Sequence, residues 1–209
     1  MPVNVYYCRV TQSRRRGAVL EEALYLAAVA EMAEVGYTGM TVEGVAARAK
    51  TGKAAVYRRW PNKHALALDA LRYVLPPPPE LDLTIPARDN LRQIFTTLSG
   101  AFAGDNTEFP GLAVMLGVLG DPQLRAAFVD AIVLPRLTVI AAILARAEQT
   151  GEVAPGALAP LAAKVGPSLI MQTILLTGEP PTPADLEAIL DTVLPGPGTR
   201  SARRTVPRG

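Results

Sequence analysis

The chain has 209 residues, of which 49% are hydrophobic and 19% are charged, so it is long and apolar enough to bury a substantial core. This composition excludes an intrinsically disordered protein. The single cysteine, Cys8, excludes an internal disulfide and agrees with the reducing cytoplasm, where we expect the protein to act.

The net charge of +2 is unevenly distributed along the chain. Residues 1–75 hold eleven Lys or Arg against six Asp or Glu, whereas residues 76–198 hold six against thirteen. The last eleven residues add four arginines and no acid. A basic end of this kind is suited to a polyanion such as nucleic acid, although solvated helix faces can produce the same asymmetry.

Residues 1–13 form an arm for which the sequence predicts no structure. Their apolar residues precede the positive charges, which is the reverse of a secretory signal, so we do not expect export. The following residues, 14–75, are interpreted as a helix-turn-helix DNA-binding domain. Its first helix is predicted from about Gly17 to Val35, with Gly36 ending it because glycine readily adopts a left-handed backbone.

The next two helices form the predicted reading unit. Thr41 is expected to cap the second helix by accepting a bond from a free backbone N–H. After a turn at Lys50 and Thr51, a third helix is predicted from Lys53 to about Trp60, with Trp60 on its packed inner side. The residues of the second helix that share one apolar face are Val42, Val45, Ala46 and Ala49.

The outer side of the third helix carries residue types that suit a DNA major groove. Small Ala54 and Ala55 would allow close approach to base edges, and Lys53 can donate to guanine acceptors. Tyr57 and Arg59 are suited to phosphate, although ordinary packing and solvated charge are the alternative interpretation. The predicted DNA-contacting residues are Thr41, Thr51, Lys53, Ala54, Ala55, Tyr57, Arg58, Arg59 and Lys63.

Four short stretches in this region form a familiar pattern: Gly36-Tyr37, Met40-Thr41-Val42, Val45 to Ala49, and Val56 to Lys63. In their order, spacing and residue type they resemble the TetR family of bacterial transcriptional regulators. The resemblance implies an N-terminal three-helix DNA-binding domain, a C-terminal helical ligand-binding and dimerisation domain, and a double-stranded DNA operator as partner.

The turn departs from that family, which usually has a glycine, an apolar residue and then Ser or Thr where this chain has Lys50-Thr51-Gly52. A lysine in a left-handed backbone would be strained, and Thr51 could instead cap the third helix. Residues 50–53 also look like the end of a phosphate-binding loop, but alanines stand where that loop needs its other glycine and its hydroxyl, so nucleotide binding is not expected.

Four consecutive prolines, Pro76 to Pro79, begin a predicted linker of residues 76–85, because they cannot continue a helix. Beyond it, residues 86–195 are alanine- and leucine-rich with few alternating strand patterns, so we predict an all-α fold. Residues 196–209 are predicted to be a disordered basic tail. The C-terminal helices are predicted near 88–103, 110–119, 121–150, 157–176 and 183–194, with bends at Pro135 and Pro167.

Aromatic and methionine side chains in the C-terminal domain suggest a cavity for a small apolar effector, since pockets in helical bundles are mostly apolar. A filled core would use the same residue types. The predicted ligand-binding residues are Phe95, Phe102, Phe109, Met115, Phe128 and Met171.

The stretch 153–178 contains a single charge, Lys164, and so raises the possibility of a membrane span. Pro155, Pro160 and Pro167 interrupt it too often for a continuous spanning helix, and we expect no membrane partner. The family resemblance instead implies that the last two long helices pair with those of a second copy. The resulting homodimer would have two-fold symmetry and a roughly palindromic operator.

These observations lead to the hypothesis of a homodimeric DNA-binding repressor released by a small ligand. A DNA-binding architectural protein without a ligand is the main alternative. An enzyme with an accessory helix-turn-helix is a third, but the C-terminal region has no His or Cys, and its acids fall in no metal-ligand or acid/base pattern. We therefore expect no catalytic residues, no metal and no cofactor.

Overall fold

The computed structural model of the chain describes residues 17–75, 77, 80, 82, 84–103, 111–154, 156, 158 and 161–195. These residues form helices and connecting turns without a β-strand, which confirms the predicted all-α class. The helices are α1 (Ala18–Gly39), α2 (Val42–Arg48), α3 (Lys53–Tyr57), α4 (Lys63–Val74), α5 (Ala87–Ala103), α6 (Gly111–Gly120), α7 (Pro122–Phe128), α8 (Leu134–Thr150), α9 (Ala162–Thr177) and α10 (Pro183–Val193).

Some sequence predictions fall on residues that the structure does not describe. The arm 1–13, the tail 196–209, part of the linker 76–85 and Phe109 lie outside the described residues, as does the side chain of Phe102. What the sequence predicts for them stays a prediction.

Helix α1 is built on a buried apolar stripe. Leu24, Ala28 and Met32 are almost completely buried, as their spacing of four residues predicts. Gly36 breaks the helix with φ 69° and ψ 165°, a backbone that favours glycine, and one further turn follows to Gly39. Val35, the predicted last residue of the first helix, lies just before this break and is exposed.

Helices α2, α3 and α4 pack with α1 around one core. The inner face of α2 is buried as predicted, and Val56 and Trp60 are buried beside it. The side chain of Asn62 caps α4 by accepting a bond of 2.9 Å from the N–H of Ala65. The short helices α2 and α3 are therefore held from behind by the two longer ones.

Residues Pro122–Thr150 form one continuous helical rod, which the sequence predicted with a bend at Pro135. Within this rod the regular α-helix is interrupted by a π turn at Val129–Val133, between α7 and α8. Proline supplies no N–H and its ring excludes the carbonyl four residues earlier. The wider π turn directly before Pro135 accommodates both effects without ending the rod.

In the C-terminal part, α5 packs against α8, α9 and α10, while α6 packs along α1. Glu187 of α10 accepts bonds from Arg88 at 2.8 Å and from Arg92 at 2.6 Å, both on α5. These two guanidinium groups hold the pKa of Glu187 at about 2. The pairs tie the last helix to the centre of the domain.

Helix α9 begins at Ala162, five residues later than the predicted start at residue 157. Pro160 offers no backbone N–H, so it opposes a helix running through that position. Pro167 lies inside α9 as predicted. The neighbouring Gly166 faces the ring of Phe95 on α5 so closely that a Cβ on Gly166 would lie 2.6 Å from Cε2 of that ring.

Among the described residues, the rod Pro122–Thr150 is long and apolar enough to span a membrane by length and composition, with a mean hydropathy of 2.1 over its most apolar stretch. The core helices of globular proteins meet the same criterion, so this is weak evidence for a span. Only 28% of that stretch is buried within the monomer. The rod thus presents apolar surface to its surroundings.

Candidate nucleic-acid interface and ligand cavity

The predicted cap of α2 is present in the structure. The Thr41 hydroxyl accepts a bond of 3.0 Å from the N–H of Gly44. At the other end of α2, Arg48 pairs with Glu31 at 3.2 Å and also with Glu34, both on α1. Bonding to Glu34 in particular raises the pKa of Arg48. Helix α2 is thereby fixed in orientation against α1.

The turn between α2 and α3 has Lys50 in the left-handed conformation, with φ 55°, which is the first of the two possibilities that its departure from the family pattern raised. The N–H of Lys50 donates to the carbonyl of Ala47 at 3.0 Å, and the N–H of Thr51 donates to that of Ala46 at 2.9 Å. This bonding pattern closes the helix in the way that usually requires glycine.

The prediction that Thr51 caps α3 is wrong. Gly52 occupies the N-cap position, and no side chain bonds to the free N–H groups there. The predicted start of α3 at Lys53 is nevertheless correct. Thr51 is half-buried in the turn, and its backbone N–H is used in closing α2.

Because a lysine in this conformation costs about 1–2 kcal/mol relative to a relaxed backbone, we expect Lys50→Gly to stabilise the protein by about 1 kcal/mol after the entropy of glycine is subtracted. Urea denaturation measures this change. Ala54→Gly, in the regular helix α3, is the matched control and should destabilise by about 0.5–1 kcal/mol. A Lys50→Gly variant no more stable than the wild type would contradict the strain.

The outward face of α3 presents Lys53, Ala54, Tyr57 and Arg58 to solvent, and Arg59 is exposed beside them. Tyr57 is 50% exposed, so its ring is accessible from solvent. Lys53 lies 3.6 Å from Glu43, a solvent-exposed ion pair that is worth little and leaves the ammonium accessible. Nη1 of Arg59 donates to the carbonyl of Ala55 at 3.0 Å, which orients the guanidinium along the helix.

The prediction that Ala55 approaches base edges is wrong. Ala55 is only 4% exposed and packs on the inner face beside Val56. Its small size serves the close packing of α3 on the core. Of these two alanines, only Ala54 is exposed, so the outer face of α3 carries a small side chain at that position.

The structure also disagrees with the predicted DNA contact of Lys63. Its ammonium donates to the carbonyls of Tyr37, Thr38 and Met40 at 3.1, 3.2 and 3.3 Å, and lies 4.7 Å from the centre of the Tyr37 ring. An ammonium has three N–H donors, and these contacts use all of them. Lys63 therefore caps the end of α1, and we withdraw it from the predicted DNA-contacting set.

Trp60 is buried, as predicted, in an aromatic cluster behind α3. Its ring meets that of Tyr25 edge-on at 5.5 Å, and Tyr25 stacks on Tyr73 at 5.0 Å. The indole N–H donates to Asp69 of α4 at 3.0 Å. Burial, reinforced by a bond to Glu21, raises the pKa of Tyr25. The cluster anchors the end of α3 to both α1 and α4.

The C-terminal domain contains a cavity of about 520 Å³. Of the predicted lining residues, Met115, Phe128 and Met171 do line it. Phe95 does not, because it is completely buried against Gly166, and its assignment to the cavity is corrected to core. Further lining residues come from α5, α8 and α9, including Arg136 and Lys164, which are absent from the predicted set of aromatic and methionine residues. Within the described residues, no cluster of His, Cys, Asp and Glu is arranged to hold a metal ion.

Comparisons with known proteins match the N-terminal and C-terminal parts of the chain to two different family models. Residues 24–70 match the family model of bacterial regulatory proteins of the tetR family, and residues 84–193 match that of the tetracyclin repressor-like C-terminal domain. Over 172 residues the chain is 31% identical to HTH-type transcriptional regulators of Mycobacterium tuberculosis and Mycobacterium bovis, which covers 80% of this chain and 82% of theirs.

Solved structures show the same fold. The regulator FadR from Bacillus subtilis, in complex with stearoyl-CoA, matches with a TM-score of 0.65 at 19% identity, over 83% of this chain and 97% of that one. The fatty acid degradation regulator FadR from Bacillus halodurans matches with a TM-score of 0.59 at 15% identity, over 90% of this chain and 100% of that one.

Proposed function

Because the chain belongs to the TetR family, it is a transcriptional regulator with a DNA-binding helix-turn-helix, and we propose that it acts as a homodimeric repressor released from DNA by a small ligand. Its family and relatives are regulators and not enzymes. We further propose that it acts in the cytoplasm, where it would meet bacterial DNA. The repressor proposal is supported by two features that occur together. One is the exposed, basic outward face of α3, and the other is a separate apolar cavity among the C-terminal helices.

For DNA, we propose that α3 enters the major groove with Lys53 and Ala54 toward the bases. Lysine donates to guanine acceptors, and a small residue allows the close approach that base contacts need. Tyr57, Arg58 and Arg59 would contact the phosphates on either side. The hydroxyls of two threonines near the starts of α2 and α3 would add further phosphate contacts; these are Thr41 and Thr51.

For dimerisation, support comes from apolar side chains exposed on the monomer. Leu161, Leu175 and Leu176, on and just before α9, are 60%, 54% and 75% exposed. Leu134 at the start of α8 is also largely exposed. Exposed apolar patches mark interaction sites, and a two-fold dimer would bury these residues against their copies.

For the ligand, the cavity lies within the range of about 300–1,000 Å³ that small-molecule sites occupy. The solved complex of FadR with stearoyl-CoA shows that this fold can hold a molecule with a long acyl chain. A ligand releases DNA only as far as it prefers the conformation that does not bind DNA.

Helix α6 offers a route between cavity and reading unit. Met115 of α6 lines the cavity, and Gly117 of the same helix lies against the backbone of α1, where an added Cβ would be 3.2 Å from the N of Tyr37. That contact falls at the Gly36 break, directly before α2. Displacement of α6 by a ligand would therefore act on the segment that leads into the helix-turn-helix.

Selection of bound DNA from a random pool tests the proposal. We expect an inverted repeat whose half-site centres are about 34–36 Å apart. On the selected operator, Lys53→Ala should lower the affinity about 5- to 150-fold and relax the sequence preference, whereas Arg125→Ala, an exposed cation of α7 outside the cavity lining, should leave it unchanged. A pool without enrichment, or equal affinity for all three proteins, would contradict the assignment of α3.

A further inference from the structure

One acidic side chain lies within the otherwise basic reading unit. Residues 41–63 hold six Lys or Arg and a single acid, Glu43 of α2. A carboxylate on a surface that meets DNA weakens binding to DNA of any sequence, because it opposes the charge of the phosphates. General affinity for DNA therefore does not account for an acid at this position.

The carboxylate of Glu43 lies beside the ammonium of Lys53, the first residue of α3, with 3.6 Å between Oε1 and Nζ. The two side chains are 59% and 67% exposed, so their pairing contributes little to the stability of the fold. An ammonium has three N–H donors and a carboxylate about four acceptor positions, so each group can bind a further partner while the two stay together. The pair thus presents a donor and an acceptor side by side to solvent.

Both helices that carry this pair are anchored to the rest of the DNA-binding domain. Helix α2 is tied to α1 by the ion pair of Arg48 with Glu31 at 3.2 Å. Helix α3 packs on the core through Val56, and Trp60, which follows α3, donates to Asp69 of α4 at 3.0 Å. Because the helices are held in place, the donor and the acceptor are arranged before DNA binds, which lowers the entropic cost of using both.

A G·C base pair presents the complementary arrangement in the major groove. Guanine offers the acceptors O6 and N7, and cytosine offers the donor N4 next to O6. Because O6 and N4 are hydrogen-bonded to each other, they lie about 2.9 Å apart, close to the spacing of the side-chain pair. An A·T pair also places a donor beside an acceptor, but guanine gives a lysine two acceptors, and cytosine lacks the methyl group of thymine.

We propose that Glu43 determines operator specificity together with Lys53. The ammonium donates to guanine, and the carboxylate accepts from N4 of the cytosine paired with it, so that both side chains read one G·C pair in each half-site. Glutamate accepting from cytosine and lysine donating to guanine are both established forms of base reading. This inference rests on the proposed function and adds a base-reading residue of α2 to those of α3.

Selection of bound DNA from a random pool, carried out with the full-length wild type, Glu43→Ala and Lys53→Ala, tests the proposal. We expect both variants to lose their preference at the same base pair, which is G·C in the wild-type consensus. On the wild-type operator, Glu43→Ala should bind about 5- to 150-fold more weakly, the effect of one base-reading contact. Its affinity for DNA that lacks the operator should equal or exceed that of the wild type, because a negative charge has been removed.

Glu179→Ala is the matched control, since it removes an exposed acid between α9 and α10, and it should behave as the wild type on both kinds of DNA. Glu43 is exposed, so its replacement leaves the core intact. Equal losses of Glu43→Ala on operator and on other DNA would indicate a merely structural role and would overturn the proposal.

The double variant distinguishes base reading from a carboxylate that only holds the lysine in place. A carboxylate that only held Lys53 would have no effect once that lysine is alanine. We expect Glu43→Ala to lower operator affinity further in the Lys53→Ala protein and to remove the remaining preference for cytosine.

The absence of a further loss in the double variant would overturn the proposal. An unchanged consensus in Glu43→Ala, or preferences lost at different base pairs by the two single variants, would do the same. A wild-type pool without any enriched sequence would contradict the proposed function itself, so a failure of DNA recognition is distinguished from a failure of the assignment of Glu43.

Discussion

Replacing Trp60 by alanine is expected to lower the free energy of unfolding by about 3–5 kcal/mol. The buried indole contacts Tyr25 and bonds to Asp69, so its removal leaves a cavity behind α3 and takes one of its hydrogen bonds from the Asp69 carboxylate, which keeps its pair with Arg72. Because Trp60 is the only tryptophan, unfolding of the variant is followed by circular dichroism rather than by fluorescence. Operator binding should weaken as well, since α3 loses the anchor that fixes its direction.

Trp60→Phe serves as the control that separates packing from hydrogen bonding. It keeps an aromatic ring in the cluster but removes the indole N–H, and we expect a loss of about 1–3 kcal/mol. If Trp60→Ala cost no more than Trp60→Phe, the aromatic packing would contribute nothing, and the described role of the cluster would be refuted.

The contact between Gly166 and Phe95 predicts a pair of substitutions that partly cancel. Gly166→Ala should destabilise the protein by about 1–3 kcal/mol, because its methyl group overlaps the buried ring. Phe95→Ala alone should cost about 3–5 kcal/mol through the cavity it creates. In the double variant the overlap no longer exists, so the total loss should be smaller than the sum of the two.

Urea denaturation of the wild type, both single variants and the double variant measures this coupling. Ala163→Ser, at a half-buried position earlier in α9, controls for a general sensitivity of that helix to substitution. Strictly additive losses would mean that the ring and the glycine do not constrain each other. The close approach of α5 and α9 described above would then need another explanation.

Much of the N-terminal unit could be predicted because its signals are local. Thr41, the buried face of α2 and the burial of Trp60 follow from spacing within one or two helical turns. Ala55 was misassigned because small size suits both a base-contacting surface and a packed interior, and a five-residue helix gives too few positions to separate them. Lys63 could not be assigned, since the carbonyls that bind it lie more than twenty residues away in sequence.

The cavity was harder to predict for a related reason. Residue type indicates that phenylalanine and methionine are buried, but not whether they surround space or fill it. The Phe95 ring on α5 fills the space in front of Gly166, because this glycine of α9 has no side chain and so leaves room for the ring. Arg136 and Lys164 each stand in a mostly apolar stretch of the sequence, a signal that aromatic and methionine residues alone do not capture.

Because α6 touches the cavity with one residue and the approach to α2 with another, the proposed function would have separate side chains recognise the effector and the DNA, with α6 connecting the two sites. Two residues of helix correspond to about 3 Å along its axis. Substitutions in the cavity wall can therefore accumulate without altering the face that reads the operator. Over evolutionary time such an arrangement allows the same genes to come under the control of a new metabolite.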